Sequence, residues 1–259
     1  MIRDEEDVLE ETLRNHTRFC DEIFVLDGTE GEGQQVSECI ARACAHVREY
    51  HRDSDSGLPL PLRDGARQFL LERARSLYGR GNWYALLHGD EIWAEDPRRF
   101  LSFMPAVCDA MRVRLYHFFP HTSQRDSWDF RPGSSIEQLA TWYMLPSIAA
   151  EARIFYDDGD SNFDVNRHSR TVPKGVRLSQ SECVVKQYNY RTPYQAARRA
   201  AQRTRDGWQT RHYSHLLGDD ASFFCDSLER PDQPWEEAVP IGTGIATHVG
   251  ERPLPVWGD

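Results

Sequence analysis

Two aspartates stand directly after short apolar runs in the first third of the chain. Asp27 ends the run over residues 22–26, and Asp90 comes shortly after the run over residues 83–87. An apolar run of about five residues between turn signals predicts a buried β-strand, so both carboxylates would lie at the carboxyl end of a strand. Open α/β sheets bind their ligands beyond these ends. We therefore expect Asp27 and Asp90 to meet at one ligand site.

A pair of strand-end carboxylates suits a nucleoside-diphosphate sugar. One carboxylate can accept hydrogen bonds from the base or ribose, and the other can hold Mn²⁺ or Mg²⁺ against the diphosphate. The cation would neutralise the leaving group as the glycosidic bond breaks. The sequence thus predicts that Asp27 binds the nucleotide and that Asp90 binds the metal, although Asp-Gly is also a common turn pair and Asp90 with Glu91 could be a solvated strand end.

Strands and helices alternate over about the first hundred residues, which predicts an α/β fold with a mainly parallel central sheet flanked by helices. We expect a Rossmann-like nucleotide-binding half over residues 1–112 and an acceptor-binding half over residues 113–259. Predicted helices cover residues 5–19, 34–46, 62–78, 98–111, 136–145 and 193–205, and predicted strands cover residues 22–26, 47–50, 83–87, 113–118, 152–156 and 183–188. The tail from Pro231 carries Pro, Gly and Trp, and we expect it to be extended or loosely ordered.

The composition limits the classes of binding partner and the cellular compartment that we expect for this protein. With 31 Lys and Arg against 41 Asp and Glu, the formal charge of -10 argues against nucleic acid and anionic membranes as partners. No apolar stretch approaches the length of a membrane span, and no signal peptide opens the chain. The six cysteines are scattered without a C-x-x-C pair, which favours reduced thiols in a cytoplasmic protein. The oligomeric state is open.

Three segments resemble the family-2 glycosyltransferases of the GT-A fold, in particular bacterial branches of the family. Residues 2–5 (Ile-Arg-Asp-Glu) look like the family's opening Val-Lys-Asn-Glu. Residues 21–29 are similar to its nucleotide-reading strand and turn, and residues 83–91 to its metal-binding Asp-x-Asp-Glu strand. Weaker similarity extends to residues 153–155, 166–168 and 190–195.

This resemblance implies an inverting glycosyltransferase that uses a nucleoside-diphosphate sugar and Mn²⁺ or Mg²⁺, with a hydroxyl or amine acceptor. Asp90 would bind the metal. The residues that would bind the nucleotide sugar are Arg3, Glu5, Asp27, Thr29, Arg67, His88 and Gly89. His88 stands where the family has the first aspartate of its motif, and Gln187 stands where related sequences often have a histidine near the metal. Both differences lower the negative charge or the number of ligands available to a cation.

An inverting transfer needs a carboxylate that deprotonates the acceptor. Asp126, Asp129 and Glu137 follow the metal strand and are the candidates for this catalytic base. Trp128, Phe130 and Trp142 could stack on sugar rings, although packing is the more frequent role of such aromatics.

Two other functions fit parts of the sequence. The run from Phe24 to Thr29 resembles the Asp-x-Asp-Gly-Thr motif of haloacid-dehalogenase-type hydrolases, but Val25 stands where that chemistry needs a nucleophilic carboxylate. A non-catalytic nucleotide-sugar-binding protein, or a degenerate glycosyltransferase, stays open because of His88 and Gln187. His212 and His215 have the spacing of a metal pair, but no carboxylate motif accompanies them.

Overall fold

The computed structural model describes residues 1–57, 63–144, 151–163, 172–173, 175–205, 223–224 and 247–248. The chain divides into two compact units. The first comprises Met1–Arg114 and Ala150–Val185, and the second comprises Leu115–Ala149 and Lys186–Val256. The motifs at 166–168 and 212–215, residues 58–61 of the predicted loop, and most of the tail from Pro231 lie outside the described residues.

Six α-helices and nine strands are found in the described residues. The helices are α1 Leu9–His16, α2 Glu32–Ala43, α3 Arg63–Tyr78, α4 Pro97–Leu101, α5 Ile136–Leu139 and α6 Pro193–Arg205. The strands are β1 Ile23–Asp27, β2 Val47–Arg52, β3 Asn82–Ala85, β4 Glu91–Trp93, β5 Ala110–Phe119, β6 Trp142–Met144, β7 Glu151–Asp157, β8 Leu178–Tyr188 and β9 Thr247–His248. None of the described helices combines the length and the apolar character that a membrane span needs. The cysteines of the described residues are free thiols.

The first unit begins with a parallel pair of strands. β1 and β2 pair in parallel, with Val25 opposite Tyr50 and Asp27 opposite Arg52. The helix α2 provides the crossover that a parallel pair requires. An apolar cluster that includes Leu9, Leu13 and Val25 packs α1 against β1. The predicted β-α-β start of the fold is therefore present.

In the larger part of the sheet the strands pair antiparallel, so the prediction of a mainly parallel sheet is wrong. β3 pairs antiparallel with β7, and β7 pairs antiparallel with the start of β5. The helical alternation stops after Pro97, and α4 has only five residues. In the described part of the chain, no α-helix longer than five residues lies between β4 and β8, and β5 pairs antiparallel with both β6 and β7. The fold is α/β, but its sheet is mixed.

Two predicted helices are shorter than expected. The helix over residues 98–111 is reduced to α4, which Asp96 caps by accepting a hydrogen bond from the Arg98 amide at 2.9 Å. Pro105 cannot continue a helix, so the chain turns and enters β5. The helix over residues 136–145 ends at Leu139, because Trp142 and Tyr143 pair with β5 as strand β6.

The first helix also begins later than the sequence predicts. Asp4, the residue before the predicted helix, has a left-handed φ of 59°, and its amide donates to Thr29 Oγ1 at 2.9 Å. Residues 1–5 are held by the strand ends rather than by a helix, so α1 starts only at Leu9.

A bidentate ion pair fixes α3 to the end of β7. The Arg75 guanidinium donates through Nε to Asp157 Oδ2 at 2.8 Å and through Nη2 to Oδ1 at 2.5 Å. The same side chain donates to the carbonyl of Ser161 and to Asn162 Oδ1. Asp157 is fully buried, and its charge is compensated there by one arginine.

The second unit has an aromatic core. Residues 117–119 of β5 pair antiparallel with β6, and β6 pairs antiparallel with β9. Phe118 stacks at tilted angles on Tyr143 and Tyr188. A second cluster joins Ala196 and Ala200 of α6 to Phe223.

The Glu49 carboxylate of β2 should stabilise the first unit in a pH-dependent manner that can be measured. Hydrogen bonds from Arg73 and His51 outweigh partial burial and lower the pKa of Glu49 from 4.5 to about 2. Because the folded pKa is the lower one, Glu49 stabilises the fold above pH 4.5, and this contribution is lost as the pH falls towards 2. Arg73 is 42 % exposed, so we expect Glu49→Gln to cost only about 1 kcal/mol at pH 7.

Urea unfolding at pH 7 and at pH 3 would measure this effect. The difference between Glu49→Gln and the parent chain should shrink at the lower pH. A difference of equal size at both values would contradict the assignment.

Candidate functional site

The first residues of the chain join the ends of β1 and β3. Ile2 lies parallel to β1 and is bridged to Asp27. Four backbone hydrogen bonds hold Met1 and Ile2, which we call the stub. On the β1 side they run from Ile2 N to Leu26 O and from Gly28 N to Ile2 O. On the other side they run from the Met1 amine to Leu87 O and from Gly89 N to Met1 O. The loop after β1 and the loop after β3 therefore flank one short strand, and their backbones lie about 10 Å apart, or two strand spacings.

Asp27 supports the turn that follows β1. Its Oδ1 accepts the Thr29 amide at 2.7 Å, and its Oδ2 accepts the Tyr50 hydroxyl at 2.5 Å. Burial and the Asp27 carboxylate raise the pKa of Tyr50, so the phenol stays a donor. The Asp27 side chain is fully buried. Asp27 thus orders Gly28 and Thr29, and its contact with a nucleotide stays a prediction.

Four other predicted ligand residues lie around the stub. Glu5 accepts the Arg3 amide through Oε2 at 3.2 Å, and Thr29 accepts the Asp4 amide. A Cβ on Gly89 would collide with the Glu5 carboxylate and the Ile2 side chain. Glycine is therefore required at position 89, because the stub passes directly over it.

Asp53, which follows β2, belongs to the same edge of the site. A Cβ on Gly28 would lie 3.4 Å from Arg3 Cδ and 3.5 Å from Asp53 Oδ2. Burial raises the pKa of Asp53, Arg3 lowers it and Asp27 raises it. Arg3 thus lies beside the β1 turn and acts on the Asp53 carboxylate.

His88, Asp90 and Glu91 form the predicted acidic end of the β3 segment. Each of the three residues offers one potential ligand atom, and these three atoms lie within 4.8 Å of one another. Asp90 and Glu91 are buried, and the exposed fraction of His88 is 18 %. Within the described residues, Glu91 Oε2 is buried and has no hydrogen-bond partner.

Arg153 of β7 joins this cluster and organises it. Its Nη1 donates to His88 Nε2 at 2.9 Å, its Nη2 contacts Glu91 Oε1 at 3.1 Å, and its Nε donates to Glu151 Oε2 at 2.9 Å. Since a guanidinium only donates, His88 Nε2 accepts and the imidazole proton lies on Nδ1, 3.3 Å from Glu91 Oε1. Arg153 therefore fixes both the tautomer of His88 and the orientation of Glu91.

The electrostatics of the cluster favour an added cation. Burial raises the pKa of Glu91 to about 7, Arg153 opposes this shift, and Asp90 and Glu151 add to it. Arg153 thus faces the three carboxylates of Glu91, Glu151 and Asp90, and the Met1 amine adds one positive charge near Glu91. Buried charges are stable only when they are compensated, and the local excess here is negative.

The donor set fits a hard divalent cation. Carboxylate oxygens suit Mg²⁺ and Mn²⁺, and Mn²⁺ also accepts an imidazole. Asp90 and the unpartnered Oε2 of Glu91 are the oxygens that would hold such an ion. His88 would have to release Arg153 from Nε2 before that nitrogen could coordinate.

Arg67 belongs to α3 and is 3 % exposed, and it lines the same cavity as Met1, His88 and Gly89. Burial is the main cause that lowers the pKa of the Met1 amine, and the charge of Arg67 lowers it further. Its predicted contact with a pyrophosphate remains a prediction.

The three candidates for the catalytic base belong to the second unit. Asp129 pairs with Arg131 at 2.7 Å, and Glu137 pairs with Lys186 at 2.6 Å. Asp126 lies in an exposed 3₁₀ turn. No contact in the described residues distinguishes one of them as a base, so this assignment stays a prediction.

The aromatic candidates differ in their surroundings. Trp128 donates its indole N–H to the carbonyl of Arg191 and packs on Phe223, and Phe130 is buried. Trp142 stacks on His121 with ring centroids 3.8 Å apart. Trp128 and Phe130 thus serve packing, which is the frequent role of such residues.

Sequence reasoning gave Arg153, Glu151 and Tyr50 no role. A signal for Arg153 was present, because an arginine inside an apolar strand of the type Ala-Arg-Ile-Phe needs a buried anionic partner. Glu151 and Tyr50 carry no such signal, since an acidic strand start and a strand tyrosine are ordinary.

No protein-family model matches the chain, and no curated protein matches it by sequence. Among solved structures, the chain is similar to TarS of S. aureus. One TarS structure has 12% identity and a TM-score of 0.38, with 83% of this chain and 41% of that chain covered. A structure of TarS 1-349 has 12% identity and a TM-score of 0.41, with 86% and 68% covered. At these values the similarity concerns the fold only and carries no function to this chain.

Proposed function

We propose that the chain is a glycosyltransferase that binds a nucleoside-diphosphate sugar between the β1 turn and the acidic loop after β3, with a divalent cation at Asp90. The observation that carries this proposal is the cluster of His88, Asp90 and Glu91, separated from the turn at Asp27 by one short strand. The resemblance of these segments to family-2 glycosyltransferases supports it.

The charges support a phosphate-bearing donor. A diphosphate needs positive charge, whereas the acidic loop is negative, so the two are compatible only through a cation. When bound by Asp90 and Glu91, such a cation would supply the charge that stabilises a nucleoside-diphosphate leaving group.

The chain's own residues would have three tasks. Asp27 holds the amide of Thr29 and the Tyr50 hydroxyl in place beside the nucleoside. Arg153 orients Glu91 and keeps His88 in the tautomer that carries its proton on Nδ1. An inverting transfer also requires a carboxylate that accepts the proton of the acceptor hydroxyl, and Asp126, Asp129 and Glu137 stay the candidates.

Calorimetry with UDP, dTDP and GDP, with and without Mn²⁺, tests the proposal together with an assay for donor hydrolysis and transfer. We expect one nucleotide to bind in a Mn²⁺-dependent manner and its sugar to be transferred. Nucleotide binding without turnover of any activated sugar would favour a non-catalytic binding protein instead, in which Arg153 takes the place of part of the metal's charge. No binding of any nucleotide would refute both.

Asp27→Asn tests the nucleotide side of the site. Loss of one or two charge-assisted hydrogen bonds should raise the dissociation constant of the donor by about tenfold to a hundredfold. Tyr50→Phe is the matched control, because it removes a hydrogen bond to Asp27 and leaves the carboxylate in place. Calorimetry on both variants, with unfolding curves to confirm the fold, measures the effect; an unchanged donor affinity in Asp27→Asn would count against the assignment.

A further inference from the structure

The short strand β4, which begins at Glu91, is held at its two edges by different parts of the first unit. Within the described residues it pairs with one strand, β8, and on that side the Ala94 amide donates to Val184 O at 3.0 Å. Main-chain groups of alternate residues in a strand point to the same edge, so Glu91 and Trp93 face the opposite edge. The N–H and C=O groups of such an edge need partners.

Two side chains at the end of α1 provide these partners. The Asn15 side chain donates through Nδ2 to Trp93 O at 3.0 Å, and its Oδ1 accepts the Trp93 amide at 2.8 Å. The next residue, His16, contacts Glu91 O through Nε2 at 3.1 Å. The last turn of α1 therefore bonds to the main chain of β4 at the positions where a neighbouring strand would.

His16 donates the hydrogen bond in this contact. A carbonyl oxygen only accepts, so the imidazole proton lies on Nε2. The side chain is buried, and burial lowers the pKa of His16 to about 3. The ring is therefore neutral at pH 7 and holds the main chain of Glu91 without a positive charge that would repel a cation.

Glu91 is thus fixed from two sides. Arg153 of β7 orients the Glu91 carboxylate, and His16 of α1 holds the Glu91 main chain. Groups that hold a metal ligand in place from outside typically change the metal affinity by about tenfold to a hundredfold when they are replaced.

We propose that Asn15 and His16 are positioning residues of the cation site, which hold Glu91 beside Asp90 in the arrangement that binds a divalent cation. The inference rests on the proposed function, because that function places the cation at Asp90 and Glu91. Both side chains act through the main chain of β4 and have no contact with the cation itself.

Mn²⁺ binding to variants of the full chain, followed by electron paramagnetic resonance, tests this proposal. His16→Leu keeps a similar volume and removes the donor, and we expect it to weaken Mn²⁺ binding by about tenfold to a hundredfold. His16→Gln places an amide N–H near the position of Nε2 and should bring the affinity back to within about threefold of the parent chain. Asn15→Ala changes a half-buried side chain, so it should fold even where His16→Leu does not, and it should weaken binding by about tenfold.

Thr12→Val is the matched control. Thr12 is also buried on α1, but its hydroxyl donates to Leu9 O within the helix and not to β4. This variant should keep the Mn²⁺ affinity of the parent chain, whatever its Tm. Unfolding curves on all variants separate the loss of the site from the loss of the fold.

The outcomes separate this inference from the proposed function. Mn²⁺ affinity equal to that of the parent chain in both His16→Leu and Asn15→Ala would overturn the inference and leave the proposed function in place. An equal loss in Thr12→Val, or no recovery in His16→Gln, would also overturn it, because the effect would then come from α1 as a whole. No Mn²⁺ binding by the parent chain would refute the cation site of the proposed function, and the inference with it.

Discussion

Asp90→Asn is expected to lower Mn²⁺-stimulated sugar transfer by at least a hundredfold. The substitution keeps the shape of the side chain and removes its charge. The charge that a cation brings to a leaving group amounts to several kcal/mol, and each 1.4 kcal/mol or so corresponds to about tenfold in rate. Mn²⁺ binding, followed by electron paramagnetic resonance, should weaken in parallel.

Asp160→Asn is the matched control for this prediction. Asp160 belongs to the same unit, and its side chain is 87 % exposed, so the variant should keep both the activity and the Mn²⁺ affinity. Full activity in Asp90→Asn would rule out the metal role of Asp90. Equal losses in the two variants would point to a general effect of charge.

Arg153→Met is expected to destabilise the fold by about 3–5 kcal/mol, the cost of removing one partner of a buried ion pair. The side chain of Arg153 is 3 % exposed, and without it Glu91 and Glu151 would have to be neutralised inside the unit. Urea unfolding at pH 7 measures the loss.

Arg73→Met is the control, because Arg73 also pairs with a glutamate but is 42 % exposed. It should destabilise the fold much less than Arg153→Met does, because solvent screens the exposed pair. Adding Glu91→Gln to Arg153→Met should restore part of the stability, since one uncompensated charge is removed. Similar losses in both arginine variants, or no recovery in the double variant, would contradict a buried network at Arg153.

The sequence predicted helices and strands most accurately where the hydrophobic periodicity of a segment and the length of that segment indicate the same element. β1, α3 and α6 lie within a residue or two of their predicted bounds, because each is a continuous run closed by a breaker or a cap. The pairing direction of the strands was not predictable from the runs. It depends on which strands the whole chain brings together, as when β3 pairs antiparallel with β7 more than sixty positions away, and no local pattern records such a pairing.

The proximity of two of the predicted segments was predictable in part. The loops after β1 and β3, which carry Asp27 and Asp90, both bond to the backbone of Met1 and Ile2, and the roles of these residues towards a ligand stay predictions. Arg153 comes to the cluster from β7, more than sixty positions away along the chain, through an antiparallel pairing that no local pattern specifies. The base could not be chosen, because Asp126, Asp129 and Glu137 lie in turns or short elements whose side chains the local sequence does not orient.

Because of the bidentate ion pair between Arg75 and Asp157, positions 75 and 73 of α3 should tolerate substitution to different degrees. Arg75 contacts a carboxylate, a carbonyl and an amide at once, which a planar fork of donors allows and a lysine ammonium does not. Arg73 also donates twice to one glutamate, Glu49, but its side chain is 42 % exposed, so solvent screens the pair and its replacement by lysine should cost little. In a library that samples lysine at both positions, folded clones should retain arginine at position 75 and drift freely at position 73.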